Sequence, residues 1–268
     1  MTLTLTPLAN LPIIQPGDDL ADVILNSLHN ECITLQDGDI LVLAQKIVSK
    51  AEGRLIHLGG VIPSPRAIEI AERAEKDPRL VELILRESRE VLRVRPGTII
   101  VEHRLGFVCA SAGIDHSNVN PPMLSGDANV KDLSCGTKDE DWVLLLPQNP
   151  DASAAALRQK LEVACRVKIG VMIIDSHGRA WRLGVVGTSI GLAGLPGIVD
   201  MRGQPDLFGY QLRITLIAAA DELAAAASLV MGQAAEGTPV VHVRGFPYPL
   251  REGSLRELFR PKEQDMFR

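Results

Sequence analysis

No closely spaced cysteine pair occurs in this sequence. Its four cysteines, Cys32, Cys109, Cys135 and Cys165, form no CxxC unit and no double CxxC zinc pattern. Scattered cysteines of this kind point to a reducing, cytoplasmic setting. Positive charge is also in short supply. The formal net charge is -5 and the pI is about 5.7, which argues against a general nucleic-acid binder. An anionic small substrate is not excluded, because a few lysines, arginines or metal ions reverse the field inside one cleft. No apolar run reaches membrane-spanning length without a charge, glycine or proline. The segment Met1–Leu11 lacks the basic and apolar regions of a secretory signal. Two phosphate-binding signatures are missing as well. There is no GxxxxGK[ST], and Gly187, Gly191, Gly194 and Gly197 do not spell GxGxxG. The glycine-rich run Gly184–Gly203 is expected to be a set of turns.

What is present is ordinary globular composition: 268 residues, 46% hydrophobic and 23% charged. That length suits one large domain or two modest ones. Alternation over Thr2–Thr6 predicts a first strand. Asp18 and Asp19 are helix starters ahead of Leu20, Val23, Ile24 and Leu28. Buried strands are expected at Ile40–Leu43 and Val171–Asp175, and further strands at Ile99–Val101, Phe107–Ala110, Trp142–Leu146, Leu212–Leu216 and Val240–Val243. Helices are expected at Pro65–Glu75, Pro78–Val91, Ser153–Cys165 and Asp221–Met231. Ser111–Asp141 reads as a long irregular segment. Loose alternation of strands and helices predicts a mixed α/β architecture.

Two aspartates stand out by position. Asp115 follows an apolar strand, and Asp175 ends a strongly apolar one. A carboxylate at a strand end is where many α/β proteins place metal ligands, and hard oxygen donors suit magnesium or manganese. Either residue can equally be read as the cap of a turn. His116 and His177 read as exposed turn residues. Lys46, Lys50 and Arg54 follow a strand and are either a phosphate clamp or a solvated basic edge.

Taken in order, several segments resemble one family, the coenzyme F420-0:L-glutamate ligases. They are Leu11-Pro12-Ile13-Ile14 with Gly17-Asp18-Asp19, Gly38-Asp39, Ser49-Lys50-Ala51-Glu52-Gly53-Arg54, and Ser111-Ala112-Gly113-Ile114-Asp115-His116-Ser117-Asn118. Asp175-Ser176-His177-Gly178, Gly187-Thr188-Ser189-Ile190-Gly191 and Met231-Gly232-Gln233-Ala234-Ala235-Glu236-Gly237 complete the set. The resemblance covers residues 1 to about 245 as one two-lobed ligase domain and leaves 246–268 as a tail or linker. Arg260–Arg268 resembles the junction that precedes a nitroreductase-like domain in actinobacterial fusions; a stand-alone enzyme and a piece of a longer fusion both fit.

The resemblance implies a family-specific α/β ligase fold with mixed sheets and an intertwined homodimer. It implies GTP as co-substrate, two divalent ions (magnesium or manganese), potassium in some members, and L-glutamate and coenzyme F420-0 as partners, with no nucleic acid or membrane. Carried over by motif, Leu11, Pro12, Ile13, Ile14, Gln45, Lys46, Lys50 and Asn118 would contact GTP, as would Met231, Gly232, Gln233, Ala234, Ala235, Glu236, Gly237 and Thr238. Asp115, Asp175, Ser176 and Gln233 would sit at the metals. Three places depart from the family pattern: Ser176 stands for a threonine, Gln233 for a glutamate of some members, and Gln45-Lys46 for a small hydroxyl pair. The implied reaction makes an acyl phosphate from the acceptor carboxylate and GTP, which the amine of glutamate then attacks. Two other readings share these motifs: a GTP-dependent amide ligase for another carboxylate metabolite, and a nucleotide-binding regulatory module without turnover.

Overall fold

The computed structural model describes residues 2–119 and 141–266. Cys135 and most of the stretch expected to be irregular therefore lie outside the described residues. The chain folds into two compact units: Met1–Pro12, Asp19–Gln45 and Gln148–Gln264 form the first, and Ile13–Asp18, Lys46–Pro147 and Asp265–Arg268 the second. No helix among the described residues is long and apolar enough to cross a membrane.

The first unit is built on a five-stranded mixed sheet of order β1-β12-β2-β8-β9. These strands are β1 (Thr4–Pro7), β2 (Ile40–Ala44), β8 (Gly170–Arg179), β9 (Arg182–Ala193) and β12 (Val240–Arg244). Strand β2 lies at the centre, parallel to β8 and antiparallel to β12. It is buried on both faces, which is why Ile40-Leu41-Val42-Leu43 is a continuous apolar run rather than an alternating one. Helix α6 (Ala219–Met231) covers one face, where Leu223, Ala224, Ala227 and Met231 pack with Ile40, Val42, Met172, Ile174 and Leu192. Helix α5 (Pro150–Cys165) lies against β8 and β9 and also meets α1 (Leu20–Asn30). Asp19 caps α1 by accepting from the Ala21 amide at 2.9 Å.

The glycine-rich run is mostly strand, not turns. Gly187 and Gly191 lie within β9 at the points where helices come closest. A Cβ on Gly187 would fall 2.4 Å from the Ala224 carbonyl oxygen, and one on Gly191 2.4 Å from Pro150. The glycines are there for close backbone approach, which looks like turn composition in sequence. Strand β10 (Val199–Asp200) pairs with β11 (Leu216–Ile217). The strand expected over Leu212–Leu216 shrinks to its last residue, because Asp206 accepts from the Phe208 and Tyr210 amides and bends this loop back on itself. Beyond residue 245, Phe246, Leu250 and Leu258 pack against the first unit's core, and Leu255 is buried.

One polar knot ties this sheet together. Asp39 is 1% exposed. Its Oδ2 accepts from Arg244 Nη2 at 2.7 Å and lies 2.9 Å from His242 Nε2, while Oδ1 accepts from Arg244 Nε at 2.9 Å. Burial pushes the Asp39 carboxyl upward. The bonds from Arg244, His242 and the Gln36 amide outweigh burial and hold it below its ordinary value of 3.8.

In the second unit, α3 (Pro65–Ala74) and α4 (Pro78–Arg86) pack on a three-stranded antiparallel sheet. Its strands are β4 (Ser88–Arg95), β5 (Thr98–His103) and β6 (Val108–Ala110). Ser64 and Asp77 cap the two helices and proline opens each. Helix α4 stops at Arg86, short of the expected Val91, and Val91 instead pairs with Val101. Ser88 Oγ bonds the Ile84 carbonyl and closes the helix. Strands β3 (Leu55–His57) and β7 (Trp142–Leu144) pair antiparallel. Helix α2 (Gln45–Ala51) follows β2 without a loop, and sequence periodicity missed it because only seven residues are helical.

Candidate functional site

In the second unit, the candidate polar side chains gather around α2 and the segment before residue 119. Lys46 Nζ donates to Ser117 Oγ at 2.8 Å and to the Ser117 carbonyl at 3.0 Å. It lies 3.5 Å from Asp115 Oδ2. One helical turn on, Lys50 is half-buried. Burial, and then the charge of Lys46, lower its pKa. No carboxylate or other acceptor among the described residues partners the Lys50 ammonium.

Asp115 is fixed by its backbone. Its amide and carbonyl both pair with Leu144, at 3.0 and 2.9 Å. The turn leading to it is left-handed at three consecutive residues, Ser111 (φ 51°), Ala112 (φ 53°) and Gly113 (φ 65°). The first two carry a Cβ, and this conformation costs roughly 1–2 kcal/mol per such residue. Strain of this kind concentrates at functional segments. Asn118 is also left-handed at φ 56° and is exposed, a conformation asparagine tolerates.

In the first unit, Asp175 lies within β8 rather than at its end, since the strand continues to Arg179. Its Oδ2 lies 3.1 Å from His177 Nε2, and both side chains are 11% exposed. His177 is therefore a strand residue paired to a carboxylate, not an exposed turn residue. The i, i+2 spacing on one face of a strand was the available signal. Ser176 points the other way and donates to Gln233 Oε1 at 2.9 Å. Gln233 Nε2 in turn donates to Ser228 Oγ at 2.8 Å. The structure thus brings together Asp175 with His177, and Ser176 with Gln233, as two separate pairs.

After α6 the chain turns at Gly232, φ +75°, where a Cβ would strike the Glu236 side chain at 2.2 Å. Glu236 accepts from the Ala234 amide at 2.8 Å, and Thr238 Oγ1 donates to the Met231 carbonyl at 3.1 Å. These bonds fold the chain after Met231 into a compact loop whose residues 233–237 are exposed. Asp221, in the first turn of α6, accepts from the Ser189 amide at 3.0 Å, and burial raises its pKa. Sequence reading passed over Asp221, which looks like any helix-opening acid.

The remaining candidates divide by exposure. Ile13 is 64% exposed, whereas Ile14 and Gln45 are buried. Leu11 is half-buried and Pro12 exposed. Among the described residues, no group of three or more histidine, cysteine, aspartate or glutamate side chains converges as a cation cage.

The family model for F420-0:Gamma-glutamyl ligase matches residues 9–245. The coenzyme F420:L-glutamate ligase of Methanothermobacter thermautotrophicus is 46% identical over 270 residues, covering all of both chains. That of Methanocaldococcus jannaschii is 41% identical over 260 residues, covering 96% of this chain and 94% of its own. That of Archaeoglobus fulgidus is 40% identical over 268 residues, covering 100% and 97%. With a matching model over most of its length and relatives at this identity along the whole of it, the chain belongs to the F420-0:gamma-glutamyl ligase family and is a ligase.

Proposed function

We propose that this enzyme joins L-glutamate to coenzyme F420-0 in a GTP-dependent reaction. The observation that carries the nucleotide reading is Lys50: a half-buried ammonium with no anionic partner among the described residues, beside a second cation. A polyphosphate supplies the missing counter-charge and offsets the cost of keeping Lys50 charged. Glutamate follows from the names of the relatives, and F420-0 from the description of the family.

A carboxylate oxygen of the acceptor attacks the γ-phosphorus of GTP, the bond to the β-phosphate oxygen breaks, and GDP leaves. The amine nitrogen of glutamate then attacks the acyl carbon, and phosphate leaves as the amide forms. The amine must first lose a proton. This enzyme's part is positioning and neutralisation of charge. Lys46 and Lys50 would hold phosphate oxygens, and the 231–238 loop would hold the nucleotide through main-chain groups.

Each unit offers donors of the kind that suits magnesium or manganese. Asp115 in the second unit, and Asp175, Ser176 and Gln233 in the first, offer hard oxygens. Magnesium is commonly held by one or two carboxylates together with substrate phosphates, the mode proposed here. Bound there, a divalent ion would neutralise charge on the transferring phosphoryl group.

Calorimetry tests the nucleotide assignment. Losing one charge-assisted contact costs roughly 1.5–3 kcal/mol, so Lys50→Ala is expected to weaken GTP binding about 10- to 100-fold. Unchanged affinity would remove Lys50 from the site. A metal titration tests Gln233. Its amide oxygen is a weaker ligand than a carboxylate, so Gln233→Glu is expected to lower the metal concentration for half-maximal activity. Superimposable curves for wild type, Gln233→Glu and Gln233→Ala would contradict the assignment.

We also propose that the enzyme is a homodimer. The β8–β9 hairpin exposes Trp181 (89%), Leu183 (98%) and Val185, a cluster of apolar side chains costly to leave in water. A Trp181→Asp, Leu183→Asp double variant is expected to sediment as a monomer; a dimer of unchanged stability would place the contact elsewhere.

A further inference from the structure

Lys46 makes contacts that nucleotide binding alone does not require. Its Nζ is set among a hydroxyl, a carbonyl and a carboxylate: Ser117 Oγ at 2.8 Å, Ser117 O at 3.0 Å and Asp115 Oδ2 at 3.5 Å. These are the oxygen types a hard cation takes as ligands. Both the Lys46 and Asp115 side chains are only 27% exposed, so the pair is partly withdrawn from water. Lys46 is also anchored at the start of α2, while Asp115 is anchored by its main-chain pairing with Leu144.

We propose that Lys46 is a tethered counter-cation for Asp115, holding the carboxylate until a divalent ion arrives and giving it up when the ion binds. The proposal rests on the reading of Asp115 as a metal-holding residue. It has two chemical consequences. First, the enzyme's affinity for a divalent ion in the absence of nucleotide is held below what Asp115 alone would give, because the ion must displace one positive charge and bind close to it. Second, displacement frees the Lys46 ammonium on the same helix as Lys50, where it becomes available to phosphate. Metal and nucleotide then favour one another's binding, and this coupling is reciprocal.

The test is direct titration with Mn2+ alone, following the free ion by its electron paramagnetic resonance signal. Four proteins are compared: wild type, Lys46→Met, Lys46→Arg and Asp115→Asn. Lys46→Met, which keeps the length of the side chain and removes its charge, is expected to bind Mn2+ about fivefold more tightly than wild type. Lys46→Arg, which keeps the charge, is expected to follow wild type, and Asp115→Asn to lose the affected site. If Asp115→Asn loses the site while Lys46→Met binds Mn2+ no more tightly than wild type, the counter-cation role is overturned and the reading of Asp115 stands. An arginine variant that behaves like the methionine variant would overturn it too, because charge would not be the cause. If Asp115→Asn binds Mn2+ as wild type does, the reading of Asp115 itself fails and takes the proposal with it.

Discussion

Asp115→Asn and Asp175→Asn are each expected to abolish ligation while leaving the fold intact. Asparagine keeps the size of the side chain and removes its charge. A divalent ion contributes several kcal/mol of charge stabilisation in phosphoryl transfer, so its loss costs about a thousandfold or more in kcat. The fold should survive at Asp115 because the residue is placed by its main-chain bonds to Leu144. Its side-chain partner Lys46 is partly solvated, and such a pair adds at most about 1 kcal/mol to stability. At Asp175, the amide can still pair with His177 through its oxygen. Steady-state rates with limiting manganese, read beside circular dichroism, check both variants. Normal turnover by either would remove that aspartate from the metal-holding set.

The largest expected effect on stability belongs to Asp39→Asn. The substitution leaves the buried His242 and the guanidinium of Arg244 facing a neutral amide. Breaking a fully buried ion pair costs about 3–5 kcal/mol. Arg244 is 40% exposed here and water screens part of that loss, so about 2–3 kcal/mol is expected. For a unit of this size that lowers the midpoint of thermal unfolding by roughly 5–10 °C. The pH dependence has a definite sign. Asp39's folded pKa lies below its unfolded value, so its contribution is present above about pH 4 and disappears as pH falls through the folded pKa. Urea melts of wild type and variant should therefore converge below pH 4. A gap that stayed constant down to strongly acid pH would show that packing, not charge, is what Asp39 supplies.

Long elements with a single clear period were legible in the sequence. Helices α1 and α3 announce themselves by Asp19 and Pro65, and α5 and α6 were expected over Ser153–Cys165 and Asp221–Met231, whereas they begin earlier, at Pro150 and Ala219. The buried strands β2 and β8 do so by unbroken apolar runs. The failures have specific causes. Glycines in β9 serve close helix–strand approach, a tertiary requirement that no local pattern reveals. Helix α4 and strand β4 are joined so tightly that Leu85, Val91 and Leu92 look like one helical stripe until Ser88 closes the helix. The pairing of Lys46 with Asp115 and Ser117 spans about seventy residues and could not be read from either segment alone. The same holds for Ser176 with Gln233. Individual motif residues were visible; which of them touch was set by the fold.

The most direct test of the proposed reaction is a coupled measurement of phosphate release and amide formation. Purified enzyme is given GTP, a divalent ion, L-glutamate and coenzyme F420-0, and each component is then omitted in turn. The reaction is expected to release one phosphate and one GDP for each glutamate joined, and to stop when glutamate, acceptor or GTP is withheld. Glutamate-containing product formed without GTP, or GTP hydrolysed at the full rate without the acceptor, would contradict it.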